Sequence, residues 1–171
     1  MLKGVEKIIH MKIRKIRKED LPIGVLWLND DRINESLNIQ LPVSLNSTIE
    51  WYNRNSINPN RVDLVFEEED QIVAMGGLTN INKEKKEAEL YIFVHPELKG
   101  KGFGTKSVNI LCEYGFNNLD LSKIILYSNA DNIAASKLYE KLGFTLEDFI
   151  PNQVINNGKI KDRCFYVLNR K

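Results

Sequence analysis

The sequence has little of what marks several common protein classes. It contains only two cysteines, Cys112 and Cys164, which lie far apart, and only two histidines, so neither a disulfide framework nor a zinc site is indicated. No apolar run approaches the roughly 20 residues of a membrane span, and no signal peptide is recognisable. The formal net charge is +1, whereas dedicated nucleic-acid binders carry a clear basic excess. We therefore expect a cytoplasmic protein without a metal site, a nucleic-acid partner or a membrane contact.

The chain also lacks long linkers, low-complexity stretches and repeats. A length of 171 residues is ordinary for one domain, and 43% hydrophobic residues suffice for a proper core. Met11 begins a segment that could equally be the first residues of the protein. We therefore interpret residues 1–10 as a leader and 11–171 as a single domain. Residues 3–18 are basic, which suits either a phosphate-contacting arm or a solvated leader, and we favour the leader.

Strand-like and helix-like patterns alternate along the whole chain. Alternating or buried-type apolar patterns predict strands at 12–17, 61–68, 71–79, 87–94 and 123–128, with two more around the turn Asn156-Asn157-Gly158. Helical spacing and end signals predict helices over about 20–29, from Ser47, over about 104–117 and over about 132–142. The second helix is placed by Ser47-Thr48-Ile49-Glu50, which matches a capping box. The order predicts an α/β chain of the α+β type, with a mixed, largely antiparallel sheet of about seven strands flanked by about four helices.

A glycine-bearing loop joins the strand 87–94 to the long helix that follows. It reads Lys99-Gly100-Lys101-Gly102-Phe103-Gly104-Thr105. Glycines let the backbone approach a ligand closely, and the helix start adds unpaired N–H groups and a positive dipole end. The loop does not match the phosphate loop of nucleotide triphosphatases or the dinucleotide fingerprint. It nevertheless predicts a seat for a pyrophosphate.

A second motif follows this loop, and the two motifs together are more specific than the loop alone. The segment 132–144 reads Asn-Ile-Ala-Ala-Ser-Lys-Leu-Tyr-Glu-Lys-Leu-Gly-Phe. Together the two segments resemble the acetyl-CoA-binding motifs of the GNAT superfamily of N-acetyltransferases, in which the loop reads Gln or Arg, two residues, Gly, one residue, then Gly or Ala. Lys99, Gly102 and Gly104 occupy those places, and the lysine is a mild departure. The resemblance extends over residues 12–169, although its specific part is confined to 87–144.

This resemblance implies a GNAT-like fold, acetyl-CoA as cosubstrate, and direct transfer of acetyl to an amine in a ternary complex. Tyr139 matches the family's tyrosine acid, which protonates the departing thiolate; its alternative role is that of a core tyrosine. Glu89 is the expected general base, because an alkyl ammonium titrates near ~10.4 and the reaction needs a neutral amine. A polar residue on a half-exposed strand is the alternative for Glu89. A backbone N–H near Phe93 or Val94 is expected to stabilise the carbonyl oxygen.

The resemblance also implies a set of coenzyme contacts. Asn132 would hydrogen-bond the pantetheine arm, cap its helix, or do both. Cys112 lies on an apolar helix face, so packing is favoured over a covalent acetyl carrier. His95 precedes a proline at a loop entrance, where a solvated residue is favoured over a base. The expected cofactor-binding residues are Phe93, Val94, Lys99, Gly100, Lys101, Gly102, Phe103, Gly104, Thr105, Asn132 and Ser136.

The acceptor pocket is expected between the first two helices and the last hairpin, with Trp27, Asp30, Arg32 and Tyr91 as contacts. Asp30 would attract a cationic amine, whereas Arg32 would suit a phosphate, so the acceptor stays open. In the amino-terminal half, Val25-Leu26-Trp27-Leu28-Asn29-Asp30 and Ile49-Glu50-Trp51-Tyr52 resemble the branch that includes ribosomal-protein N-terminal and amino-sugar-nucleotide acetyltransferases. We expect acetyl transfer to a small-molecule amine such as an amino sugar. The alternatives are a protein or peptide N-terminus, or a non-catalytic acyl-CoA-binding module. A monomer or homodimer is expected.

Overall fold

A computed structural model describes residues 11–154 and 158–171. The predicted leader, residues 1–10, lies outside the described residues, as do Asn156 and Asn157 of the predicted turn. The strands are β1 (Lys12–Lys15), β2 (Val62–Glu68), β3 (Gln71–Asn82), β4 (Glu87–Val94), β5 (Lys123–Asn129), β6 (Thr145–Val154) and β7 (Ile160–Asn169). The helices are α1 (Leu21–Leu28), α2 (Asp31–Asn34), α3 (Leu45–Asn55), α4 (Phe103–Asn118) and α5 (Ile133–Lys141), with 3-10 turns at Lys18–Asp20 and Pro96–Leu98.

The seven strands form one sheet in the order β1-β2-β3-β4-β5-β7-β6. Every neighbouring pair is antiparallel except β4 and β5, which run parallel. The α4 crossover between these two strands is what a parallel pair requires, since a short turn cannot return the chain to the same end. The predicted mixed, largely antiparallel sheet of the α+β type is confirmed.

Helices cover both faces of this sheet. The larger core cluster includes Leu111 and Val108 of α4, which are fully buried against Leu90 and Ile124 of the sheet. The opposite face holds a smaller cluster in which Trp27 of α1 packs with buried side chains of β2 and β3. None of the helices within the described ranges is long and apolar enough to span a membrane.

The predicted start of the second long helix is wrong. Its N-cap is Ser44, whose hydroxyl accepts a hydrogen bond from the Ser47 N–H at 3.1 Å, so Ser47 is the third helical residue. The capping-box pattern therefore lies one turn inside α3. The short helix α2 was not predicted, and it begins where the Asp30 carboxylate accepts a hydrogen bond from the Arg32 N–H at 2.9 Å. A local side-chain bond starts each helix, as expected for N-caps.

Strands β4 and β5 pair over three residues only, from Glu87 opposite Lys123 to Glu89 opposite Ile125. Beyond that point β4 still pairs with β3 as far as Val94. Strand β5 meanwhile still pairs with β7 through its whole length. The two parallel strands therefore separate towards their carboxyl ends, and we call the space between residues 90–94 and 126–129 the β4–β5 gap.

Candidate active site

The backbone of β4 presents hydrogen-bond donors to the β4–β5 gap. The His95 N–H donates to the Val73 carbonyl at 2.9 Å, and these two residues lie directly opposite each other in the β3–β4 register. In an antiparallel pair, opposite residues alternate between bonded and non-bonded, so the Phe93 N–H also points at β3. The N–H of Val94 points the other way, into the gap. Of the two amides expected to meet the carbonyl oxygen, the geometry leaves that of Val94 available and ties that of Phe93 to the sheet.

The glycine loop lies next to this end of β4. Gly100 and Gly102 have φ of 77° and 87°, a left-handed conformation that glycine adopts without strain. Gly102 is the N-cap of α4, so the first N–H groups of that helix open towards the loop. A Cβ on Gly104 would lie 3.6 Å from Val94 and 3.3 Å from Leu138. The loop, the end of β4 and α5 thus meet at one point, where a helix N-terminus favours an anion.

Tyr139 is buried beside this point, on the α4 side of the sheet. Its ring centroid lies 5.6 Å from that of Phe144 and 5.7 Å from that of Tyr166. Burial, with smaller effects of Cys112 and Tyr166, raises the pKa of the Tyr139 hydroxyl to about 12. The hydroxyl therefore keeps its proton at neutral pH and is available as a donor. Tyr139 is thus a core tyrosine that lies one residue from Leu138 at the loop, and its role as the acid stays a prediction.

Glu89 lies on the opposite face of the sheet from Tyr139. Glu89 is paired with Ile125 of β5. Tyr127, two residues after Ile125, lies on the same face of the sheet as Glu89, and its ring centroid is 5.0 Å from that of Phe165. Phe165 is adjacent to Tyr166 in β7, and successive side chains of a strand point to opposite faces. Glu89 and Tyr139 consequently approach the last paired residues of β4 and β5 from the two sides of the sheet. This arrangement suits an acid and a base that act on two different reactants.

The Glu89 carboxylate is held by a neighbour that the sequence did not single out. The Asn80 side-chain amide donates to its Oε2 at 3.2 Å. The β3–β4 register shifts between Thr79 and Asn82, and Asn80 adopts a φ of 50° there. Bulges of this kind turn a side chain away from the regular pleat and are common near active sites. Nothing in the local sequence marks the bulge except an asparagine, the residue that tolerates this conformation best after glycine.

A cavity of about 210 Å³ lies beside Glu89. Residues after α2 and from strands β6 and β7 contribute to it, whereas neither of the two helices predicted to form the acceptor pocket does. None of the four predicted acceptor contacts is among the residues that line it, which are Asn38, Glu89, Tyr127, Ile150, Gln153, Val154 and Arg163. Sequence reasoning missed Arg163, although one signal existed: it alternates with the core-facing Cys164 and Tyr166 and so must lie on the other face of β7.

Trp27 and Tyr91, two of those predicted contacts, are instead part of the packing. Trp27 is 3% exposed, and its ring centroid lies 4.9 Å from that of His95. Asp63, Gly77 and Tyr91 lie in one row across β2, β3 and β4. Because Gly77 has no side chain, the Tyr91 ring crosses β3 and its hydroxyl donates to Asp63 Oδ1 at 2.5 Å. Burial, and then the Asp63 charge, raises the pKa of Tyr91 well above its usual value.

Arg32 and Asp30 join the acceptor side to the coenzyme loop. The Arg32 guanidinium pairs with Asp30 at 2.7 Å and with Glu97 at 3.1 Å. The Lys99 ammonium donates to the backbone carbonyl of Arg32. Hydrogen bonds from Arg32 hold the pKa of Asp30 at about 2. These side chains tether α2 to the segment before Gly100.

The remaining residues considered for the site lie on or next to α4 and α5. Asn132 caps α5, since its side-chain Oδ1 accepts from the Ala135 N–H at 3.2 Å. Burial raises the pKa of the Cys112 thiol to about 12, which leaves almost no thiolate for acetyl transfer. Phe103, Thr105 and Ser136 are partly buried in the first turns of their helices, and Lys101 is exposed. Within the described ranges no group of three or more metal-ligating side chains occurs.

Comparison with known proteins agrees with this geometry. The sequence model of the acetyltransferase (GNAT) domain matches residues 10–145. The spermidine N(1)-acetyltransferase of Vibrio cholerae is 30% identical over 165 residues, which is 95% of both chains. The crystal structure of the Vibrio cholerae spermidine N-acetyltransferase with CoA and spermine superimposes with a TM-score of 0.88 at 26% identity, over 93% of this chain and 95% of that one. A dodecameric structure of that enzyme gives a TM-score of 0.80 at 26% identity, over 93% of each chain.

The Tyr91–Asp63 hydrogen bond separates a structural from an acceptor-binding role for Tyr91. We expect Tyr91→Phe to lower the free energy of unfolding by about 1–3 kcal/mol, because a buried carboxylate loses a donor. The Michaelis constant for an amine acceptor should stay within about twofold, since the hydroxyl is engaged away from the cavity. Urea unfolding and steady-state kinetics measure both, with Tyr52→Phe on α3 as the matched control. An unchanged stability with a raised Michaelis constant would show that Tyr91 contacts the acceptor.

Proposed function

The chain belongs to the acetyltransferase (GNAT) family, and from that membership we propose that its acceptor is the primary amine of a small molecule. It is an acetyl-CoA-dependent N-acetyltransferase. The observation that carries the proposal is the β4–β5 gap, which has the Val94 amide on its edge and the Glu89 carboxylate and Tyr139 hydroxyl on opposite faces. The residues fit a thioester in the gap and an amine arriving from the Glu89 side.

Glu89 is the proposed general base. An alkyl ammonium near pKa ~10.4 is almost fully protonated at neutral pH, so the attacking nitrogen must first lose a proton. The carboxylate, held by Asn80, accepts that proton directly or through one water. The nitrogen then forms a bond to the acetyl carbon. No covalent acetyl-enzyme is required.

The Val94 N–H and Tyr139 stabilise the one negative charge of this reaction in turn, first on the carbonyl oxygen and then on the departing sulfur. The N–H donates to the carbonyl oxygen as it gains charge, and it is already fixed in place by the strand. The carbon–sulfur bond then breaks, the Tyr139 hydroxyl gives its proton to the sulfur, and the second proton of the attacking nitrogen returns to the tyrosinate through solvent. The helix start at Gly102 and the nearby lysines would hold the pyrophosphate of the coenzyme. Lys99, Gly100, Lys101, Phe103, Gly104, Thr105, Asn132 and Ser136 complete the proposed coenzyme contacts.

Two acceptor classes have support. Polyamines are supported by the likeness to enzymes that are named for spermidine. An amino sugar is supported by the lining of the cavity beside Glu89, where Asn38, Tyr127 and Gln153 supply uncharged polar groups and Glu89 is the one carboxylate among the lining residues. Hydroxyl groups are matched by such amide and phenol side chains.

Thiol release from acetyl-CoA across a panel of amines tests the proposal directly. The panel contains polyamines, amino sugars and their nucleotide derivatives, aminoglycosides and short peptides with free N-termini. We expect turnover with at least one small-molecule amine and acetylation of its nitrogen, verified by mass spectrometry. Turnover confined to the peptides would replace this proposal with N-terminal acetylation. Silence across the panel despite acetyl-CoA binding would contradict it.

Replacement of Tyr139 by phenylalanine tests the acid. The ring packing against Phe144 and Tyr166 is kept, so the fold should be unaffected. We expect kcat to fall by about 100-fold, the usual size of a lost proton donor, while the Kd of acetyl-CoA changes by less than about threefold. Tyr114→Phe, roughly three turns along α4 from its start, is the matched control. A lost affinity for acetyl-CoA with an unchanged kcat would refute the acid assignment.

A further inference from the structure

Arg163 carries a charge for which the described chain supplies no direct partner. Its Nε is buried without a hydrogen-bond partner, and neither an ion pair nor a hydrogen bond of its guanidinium occurs within 11–154 and 158–171. The other partly buried arginines are paired with carboxylates. Arg61, for example, donates two hydrogen bonds of 2.8 and 2.9 Å to Asp63. A guanidinium cannot lose its proton in a protein, so partial burial without a partner is costly.

The orphaned guanidinium lines the same cavity as Glu89. Glu89 lies near enough for its charge to affect that of Arg163, yet the two are not within ion-pair distance. The cavity therefore has a carboxylate on the β4 wall and a cation on the β7 wall. Two separated opposite charges in one small space suit a ligand that carries a nitrogen at one end and an oxygen at the other.

A second unsatisfied group lies beside the first. Asn129 is 1% exposed, and its Oδ1 is buried with no hydrogen-bond partner in the described part of the chain. Asn129 and Arg163 are direct cross-strand neighbours in the β5–β7 register. Opposite residues of an antiparallel pair place their Cβ atoms about 5 Å apart on the same face. An unpaired donor and an unpaired acceptor are thus adjacent, and buried polar groups of this kind are normally satisfied by a ligand or water.

We propose that Arg163 binds an oxygen of the acceptor, a hydroxyl or an oxyanion close to the reacting amine, and so selects oxygen-bearing amines over polyamines. The inference rests on the proposed function and names its substrate class. A hydroxyl in the cavity accepts a hydrogen bond from the Arg163 guanidinium. An oxyanion pairs with the guanidinium more strongly.

A polyamine cannot accept a hydrogen bond from the guanidinium at this wall. Its ammonium groups are donors without a free acceptor, so they cannot accept from the Arg163 Nε. Their charge is also repelled by the guanidinium inside a partly buried cavity, where screening by solvent is weak. The relatives named for spermidine share the fold, and Arg163 is the feature of this cavity that opposes the same acceptor here.

Matched acceptors and an Arg163→Met variant test this inference. Cyclohexylamine, glucosamine and glucosamine 6-phosphate present the same kind of amine with no oxygen, with hydroxyls and with an added oxyanion, and spermidine is the fourth acceptor. We measure kcat/KM for each with acetyl-CoA. We expect the natural protein to prefer an oxygen-bearing amine to cyclohexylamine by at least roughly tenfold, and R163M to lose that preference. Of glucosamine and glucosamine 6-phosphate, the sugar whose oxygen binds Arg163 should show the larger fall in kcat/KM in R163M.

Two further variants keep the test decisive. Arg170→Met removes an arginine that directly follows β7, does not line the cavity and pairs with Asp120, and it should leave the preference unchanged. Arg163→Lys keeps the charge but loses the Nε donor, and should retain only part of the preference even if R163M folds poorly. Calorimetric titration of glucosamine 6-phosphate into the CoA-bound protein should show the same order of affinities.

The possible failures can be told apart. An equal preference in the natural protein and R163M, or a preference of the natural protein for spermidine, overturns the role of Arg163 while acetyl transfer stands. Absence of thiol release with all four amines and with the wider panel, while acetyl-CoA still binds, overturns the proposed function and this inference with it.

Discussion

The site depends on one constraint of the backbone, the end of pairing between β4 and β5 after Glu89 and Ile125. Two parallel strands that stay paired would hide the Val94 amide in a ladder bond. Their separation leaves a fixed donor without a strand partner, and unpaired backbone groups demand a ligand or water. The other elements keep the gap open, because β3 holds β4 straight to Val94 and β7 holds β5 to Asn129.

In the proposed mechanism the gap gives the two reactants separate approaches. The glycine loop, α4 and Tyr139 belong to one face, whereas Glu89 and its cavity belong to the other. The ion pairs of Arg32 tie α2, on the acceptor side, to the segment before the glycine loop. Exposed ion pairs add little stability, so their consequence is positional: the two sides of the site are held in register.

Much of this could be predicted from the sequence, for reasons that particular residues show. Alternation placed Glu89 and Tyr91 on one face of β4, and the two short motifs located the loop and Tyr139. Most of what failed depended on contacts distant in sequence. Tyr91 became structural because Gly77, on another strand, lets its ring reach Asp63. Arg163 is apparent only once β7 lies beside β5. The start of α3 was missed for a local reason, because Ser44 and Ser47 both suit an N-cap and the helix begins after Ser44.

The central claim is direct transfer between reactants that occupy both faces of the gap together. Initial rates measured while acetyl-CoA and the preferred amine are varied against each other test it most directly. We expect intersecting double-reciprocal lines and no acetylated protein by mass spectrometry, because both reactants must be bound at once and the Cys112 thiol is buried and protonated. Parallel lines with an acetylated cysteine would contradict it.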